Sequence, residues 1–175
     1  MKNVKLYVGT YQKYNNGSIQ GKWLDLSDYE DINEFYKACK ELHKDESDPE
    51  FMFQDFESPE LLSNFISEGY LSKDIYEAIE LFEGNDNIDL YEAFAEINDT
   101  PDNLDGLKDL ITNAEDSFCG EFESDKDFAQ NFADEMGYLE SPITLLYDNI
   151  NWEGVATDLM NDFSQSSGFY FSHNY

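Results

Sequence analysis

The sequence contains no arginine: all ten of its basic residues are lysines, set against 39 acids, for a formal net charge of -29 over 175 residues. A surface of that sign repels nucleic-acid phosphates, so no direct nucleic-acid partner is expected. Cysteine is scarce as well. Cys39 and Cys119 lie far apart without metal-type spacing, which favours two reduced, mostly buried thiols in a cytoplasmic protein over a disulfide. The two histidines, His43 and His173, are isolated along the chain, with no Cys/His cluster for zinc. His43 reads as a helix-end residue interacting with the helix dipole. Long apolar runs are missing too: nothing approaches the roughly 20 consecutive residues of a membrane-spanning helix. The apolar stretch after Lys5 is broken by Gln12 and Lys13, too early for a secretory signal. No Gly-rich phosphate loop and no serine in a nucleophile elbow occurs, so catalysis has no positive support and no cofactor or metal is expected.

What is present is aromatic and acidic. With 14 Phe, 12 Tyr and 41% hydrophobic residues the chain can build packed cores, which separates it from a disordered acidic tail. The charge is also uneven. Residues 1–44 hold seven Lys and six acids, whereas residues 45–175 hold 33 acids and only Lys73, Lys108 and Lys126. Whatever the acidity does belongs to the last three quarters of the chain.

The periodicities predict an α+β fold. Val4–Tyr11 and Ser18–Leu26 read as strands joined by a turn at Asn15-Asn16-Gly17, and Phe51-Met52-Phe53 opens a third. Ile32, Phe35, Tyr36 and Cys39 mark an amphipathic helix over Asp31–His43. Ser58-Pro59 reads as a boundary, followed by short helices with apolar stripes: Leu61, Leu62, Phe65 and Ile66; Ile75, Ala78, Ile79 and Phe82; Leu90, Ala93, Phe94 and Ile97; Leu104, Leu107 and Ile111. A strand is expected over Phe118–Phe122. Ser124 and Asp127 resemble a capping box opening a helix with Phe128, Phe132, Ala133 and Met136 inward. A helix through Trp152, Val155, Leu159, Met160 and Phe163 follows, and Phe169-Tyr170-Phe171 suits a closing strand. The segments are 1–58 (α+β), 59–113 (acidic, helical) and 114–175 (α+β).

An acidic ladder runs through the middle of this plan. Asp74, Glu77, Glu80, Glu83, Asp86, Asp89, Glu92, Glu96, Asp99, Asp102, Asp105 and Asp109 recur every three or four residues. Glu115, Asp116, Glu121, Glu123, Asp125, Asp127, Asp134 and Glu135 continue the set into the last segment. Such self-repulsion costs stability, and solubility needs a net charge of only about 2–8. Duplex DNA carries one charge per roughly 1.7 Å, so thirty unbalanced carboxylates match about 50 Å, or about 15 base pairs. A basic DNA-binding groove attracts that field as it attracts DNA.

Other acidic chemistries fit less well. An EF-hand register starting at Asn85 places Asn87, Asp89 and Glu96 correctly, but Leu90 stands where glycine is required and Glu92 where an apolar residue is expected. Among 39 carboxyls some pair has the spacing of a glycosidase by chance, which is no evidence for one. No lysine has an acid two positions before it, so the acid-x-Lys element of many nucleases is missing. The alternatives that stay open are an acidic protein that sequesters another basic DNA-binding protein, such as a nucleoid protein, and an enzyme using a carboxylate pair.

The run Lys5-Leu6-Tyr7-Val8-Gly9-Thr10-Tyr11, with Tyr14-Asn15-Asn16-Gly17 and Gly21-Lys22-Trp23-Leu24, resembles the start of the ArdA antirestriction proteins. Asp48 through Glu57 resembles the acidic end of that family's first domain, and a looser likeness extends to the end of the chain. The resemblance implies a DNA mimic, encoded largely on mobile elements, that blocks type I restriction–modification enzymes by occupying their DNA groove. It also implies three small domains in tandem, in an elongated homodimer joined through the last. By position, the family's antirestriction motif corresponds to Lys126 through Glu140. Phe128, Phe132, Asp134 and Glu135 are prominent there, and Phe128, Phe132, Met136 and Tyr138 are candidates for motif or dimer contacts. In the stretch Trp152–Leu159, Thr157 stands where that family usually carries arginine.

Overall fold

Along Lys5–Thr10 (β1), Leu6 and Val8 turn inward and become fully buried while Lys5 and Tyr7 stay half-exposed, the period-2 consequence of a strand with one covered face. These observations come from a computed structural model that describes residues 4–84, 87–138 and 147–174. β1 is central in a three-stranded antiparallel sheet of order β2-β1-β3, with β2 at Lys22–Asp25 and β3 at Phe51–Glu57. Leu6 faces Leu24 on one side and Phe56 on the other.

The connection from β1 to β2 differs from a simple hairpin turn. Tyr11–Asn15 forms one helical turn (α1), whose first turn is capped by the Thr10 hydroxyl accepting from the Lys13 amide at 3.2 Å. Gly17 then ends it at φ 81°, donating to the Tyr14 carbonyl while Ser18 donates to that of Lys13. The Asn-Asn-Gly signal was correct about a reversal and silent about the helix before it.

Helix α2 (Ile32–Leu42) packs on this sheet, burying Phe35 and Cys39. The Phe35 ring lies 6.2 Å from that of Phe53, and Tyr36 stacks on Phe51 at 6.0 Å. Asp31 caps α2, accepting from the amides of Asn33 (2.8 Å) and Glu34 (2.9 Å). Those bonds favour the carboxylate and hold the Asp31 carboxyl below the usual aspartate range. A depressed value means the cap's contribution is full above the unfolded pKa of about 3.9 and is lost as pH falls through the folded one. Asp31→Asn, an equally good cap, should therefore leave neutral-pH stability near wild type and flatten the acid limb of a urea-midpoint-versus-pH curve. An unchanged acid limb would contradict that role.

The stretch expected as a helix at Leu61–Ile66 is a 3-10 helix over Glu60–Phe65, followed by a two-residue hairpin of β4 (Ile66–Ser67) and β5 (Tyr70–Leu71). Leu61, Leu62, Phe65, Ile66 and Leu71 are all buried there. The other apolar stripes become α3 (Ile75–Glu80), α4 (Ile88–Asn98) and α5 (Leu104–Ser117). α3 joins the first sheet's surroundings through the Tyr76 hydroxyl, which donates to the Leu26 carbonyl at 3.2 Å.

The last third forms a second three-stranded antiparallel sheet of order β6-β8-β7, from Phe118–Glu121 (β6), Phe163–Ser166 (β7) and Phe169–Ser172 (β8). β7 was not anticipated as a strand. Ser167 (φ 51°) and Gly168 (φ 88°) both adopt positive φ, the two-residue reversal that matches strand twist, and this pairs Ser166 with Phe169. Helix α6 (Asp125–Glu135) begins at the expected Ser124 cap, whose hydroxyl also donates to Asp127 at 2.6 Å. It lays Phe128 flat on Tyr170 with ring centroids 4.5 Å apart. Ala129 and Ala133 on α6 meet Trp152 and Ala156 on α7 (Trp152–Leu159), small side chains that let the two helices approach closely. Met136, expected inward, is exposed, because α6 ends at Glu135 and Met136 is its C-cap.

The fold is thus mixed α+β with small antiparallel sheets in the first and last thirds and mostly short helices between. By its internal contacts the chain divides into two compact units, Met1–Ile88 with Thr100–Lys108 and Asp89–Asp99 with Asp109–Tyr175. Among the described residues no helix is long and apolar enough to cross a membrane.

Candidate functional site

The apolar stripe of each amphipathic helix points its charged positions outward, and that is how the acidic ladder reaches solvent. Glu77 and Glu80 lie on α3, with Glu83 just beyond it; Asp89, Glu92 and Glu96 lie on α4, and Asp99 follows at φ 64°. Asp102 precedes α5, which carries Asp105, Asp109, Glu115 and Asp116. Glu121 is on β6 and Glu123 in the loop after it, while Asp125, Asp127, Asp134 and Glu135 lie on α6. All of these are exposed except Glu92, which is half-buried together with Asp74. Asp86 lies outside the described residues, as does the end of the Lys126–Glu140 stretch from Leu139 onward. Both units carry members of the set.

Tyrosine and serine hydroxyls orient several of these carboxylates. Tyr91 donates to Glu115 and Tyr170 to Asp125, each at 2.6 Å, and Ser166 donates to Glu96. Burial, and then the bond to Asp125, push the Tyr170 phenol well above the usual tyrosine range, so it remains a donor at neutral pH. Neutral hydroxyls satisfy the carboxylates' lone pairs without cancelling their charge.

Lysine does little to cancel it. Lys73 pairs with its neighbour Asp74 at 3.6 Å and Lys126 with Glu153 at 3.4 Å, both surface contacts. The helix dipoles are complemented at one end only. Acids occupy the first turns of α3 to α7, where they are favourable, but none of these helices has a base in its last turn. α6 instead ends on Asp134 and Glu135, against the negative end of its own dipole. That placement costs stability through repulsion from the helix dipole. A salt titration measures that cost. Lowering ionic strength from about 0.1 M to about 0.01 M lengthens the screening distance from about 10 Å to about 30 Å. About 1 kcal/mol moves Tm by about 2–4 °C in a chain this long, so Tm should drop by several degrees across that range. A Tm indifferent to salt would mean that the carboxylates do not repel one another appreciably.

The chain matches the family described as Antirestriction protein (ArdA) over residues 6–172, nearly its full length. It belongs to the ArdA family of antirestriction proteins. No individual curated protein matches it well enough to add a named relative. The resemblance drawn from the first strand and the Asp48–Glu57 stretch therefore holds, and the ArdA assignment covers both three-stranded sheets, apart from Lys5, and the elements between them.

Within this ArdA chain the four motif candidates separate. Phe128 is buried, and Phe132 is half-buried against Phe163 at 5.4 Å. Met136 and Tyr138 are exposed, by 56% and 70%, so of the four these two offer most of the free surface. The two cysteines are free thiols, Cys39 buried and Cys119 half-buried. Burial pushes the Cys39 thiol up to about 12, which keeps it inert.

Sequence reasoning missed one cluster altogether. His43 is the C-cap of α2, but it is not isolated. It is buried, with its ring between the Val8 carbonyl and the Lys13 ammonium, next to Asp45 and Glu46. Lys13 reaches His43 across 30 positions of chain, through a β1–α1 corner that the strand-turn-strand reading did not contain.

Proposed function

We propose that this chain is a non-catalytic inhibitor of type I restriction–modification enzymes, whose exposed carboxylates occupy the groove that binds DNA. The observation that carries this reading is the exposed acidic set from Glu77 to Glu135, mounted on short helices and barely offset by lysine, in a chain of an antirestriction family. At one charge per roughly 1.7 Å of duplex, the excess corresponds to about 15 base pairs per chain and about 30 for a dimer.

The carboxylates act as a field. Each adds attraction toward a basic groove, steering encounter and excluding DNA by occupancy. The working form is a cytoplasmic homodimer of chains with three segments in tandem, 1–58, 59–113 and 114–175. Dimer contacts fall in the last segment, where Met136 and Tyr138 supply apolar surface at the end of α6. The two larger sheets fall one in the first segment and one in the last, while the two contact units divide the middle segment between them.

Selectivity tests the proposal. In a reaction holding a type I enzyme, a nucleoid protein and duplex DNA, added protein should stop ATP-dependent cleavage while the nucleoid protein stays on the DNA. Release of the nucleoid protein at lower concentrations than those that stop cleavage would replace this reading with general sequestration of basic proteins.

A further inference from the structure

The corner where β1 runs into α1 gathers one nitrogen and two carboxylate ligands around the end of a lysine. Lys13 Nζ lies 2.9 Å from His43 Nδ1, 2.9 Å from Asp45 Oδ1 and 3.4 Å from Glu46 Oε1. One potential ligand atom from each of those three residues lies within 4.8 Å of the others, so the ammonium sits where a cation shared by all three would sit.

Two features distinguish this from a surface ion pair. The first is orientation. His43 is only 2% exposed, and its Nε2–H donates to the Val8 carbonyl at 3.2 Å, which leaves the Nδ1 lone pair facing the cluster. A ring nitrogen fixed in this way by a carbonyl on its far side is the usual arrangement of a metal-binding histidine. Glu46 is held similarly, its Oε1 accepting from the Thr10 hydroxyl at 2.7 Å. The second is an unsatisfied acceptor. The Glu46 side chain is 5% exposed, and its Oε2 is buried with no hydrogen-bond partner, a costly condition for a carboxylate oxygen. One neighbouring ammonium therefore leaves acceptor capacity unused.

We infer that His43, Asp45 and Glu46 form a divalent-metal site of the zinc class, in which the Lys13 ammonium is the resident cation that a metal ion displaces. One imidazole and two carboxylates suit a borderline ion better than calcium or magnesium, which favour all-oxygen shells. Binding draws the ligands in from about 3 Å to the roughly 2.0–2.2 Å of Zn–N and Zn–O bonds. Asp45 is exposed, and loss of its 2.9 Å bond to Lys13 releases it to close on the metal as the Lys13 side chain swings outward. The inference is independent of the acidic surface, because it requires an imidazole that the ladder does not contain.

The test is Zn²⁺ titration of the full chain by calorimetry, in about 0.15 M NaCl with millimolar Mg²⁺ to occupy the exposed carboxylates. Imidazole ¹⁵N spectra are followed in parallel. The expected result is one zinc ion per chain that shifts the His43 ring nitrogens and leaves those of His173 in place. Thr10→Val should weaken that site about 10–100-fold, the usual loss when a group orienting a ligand is removed, and Glu46→Gln should weaken it at least as much. Lys13→Met should tighten it. If Glu46→Gln fails to fold, the Lys13→Met affinity and the His43 spectra still decide. Zinc affinity equal in wild type and Lys13→Met, or saturation with His43 unshifted, would overturn the inference.

Discussion

Neutralising ten exposed carboxylates together should cost this protein at least about 30-fold in inhibition, while each alone costs no more than about fivefold. An exposed ion pair is worth roughly 0.2–1 kcal/mol, and 1.4 kcal/mol is tenfold in affinity. Ten such contacts therefore sum to about 2 kcal/mol at the least and about 10 at the most. A suitable set is Glu77, Glu80, Glu83, Asp89, Asp99, Asp105, Asp109, Asp116, Glu121 and Glu123, all exposed. Each is changed to Gln or Asn, which keeps shape and hydrogen-bonding capacity. Asn at position 99 also tolerates the positive φ found there. The substitutions take the net charge from -29 to -19, so the variant should also be less destabilised by low salt than the parent. The measurement is the concentration for half-inhibition of type I cleavage, compared across the ten single variants and the combined one. A single neutralisation that abolished inhibition would point to a specific contact and away from a collective field.

Phe128→Ala should destabilise the protein by about 3–5 kcal/mol, the usual cost of truncating a buried phenylalanine. Phe128 is 2% exposed, stacks on Tyr170 at 4.5 Å and meets Phe163 and Phe122 edge-on at 5.0 and 5.4 Å. It ties α6 to β7, to β8 and to the loop after β6, so its removal loosens three elements at once. Small domains have about 5–15 kcal/mol in total, and this one also carries its own charge repulsion. Urea denaturation at constant salt, followed by tyrosine and tryptophan fluorescence, gives the number. A cost under about 1 kcal/mol would mean that the aromatic cluster of the last sheet is not what holds it together. The same variant separates two roles for the motif helix: if Phe128 acts only through packing, inhibition at constant salt falls in proportion to the unfolded fraction and no further.

Sequence was most informative where a single face had to be buried. The stripes Ile32-Phe35-Tyr36-Cys39 and Leu90-Ala93-Phe94-Ile97 became α2 and α4, although Ile97, at the end of its helix, is exposed where the stripe put it inward. Ser124 and Asp127 marked the start of α6, since a local hydrogen bond needs nothing from the rest of the chain. Short elements were less legible. Leu61, Leu62, Phe65 and Ile66 have helical spacing, but six residues are too few to separate an α-helix from a 3-10 turn leading into a hairpin. β7 holds Phe163, Ser164, Gln165 and Ser166, with no β-branched residue to announce a strand, and exists because β8 offers it an edge. Met136 has the right spacing for the core but follows the last turn of its helix, and boundaries are the weakest part of a periodicity argument. The charge of the acidic surface could be counted from sequence alone, and its exposure followed from amphipathicity. His43, Asp45 and Glu46 stand within four positions of one another and were legible as a run; what the sequence hid is that the β1–α1 corner folds Lys13, Thr10 and the Val8 carbonyl onto them.

The most direct test of DNA mimicry is competition. A fluorescent duplex bound to a type I enzyme is titrated with this protein at several fixed concentrations of unlabelled duplex and at two salt concentrations. Mimicry predicts that the protein releases the labelled DNA, that more unlabelled DNA reduces the amount of protein bound to the enzyme, and that higher salt weakens DNA and protein alike. A ternary complex holding enzyme, DNA and this protein together, with cleavage still inhibited, would contradict occupation of the groove.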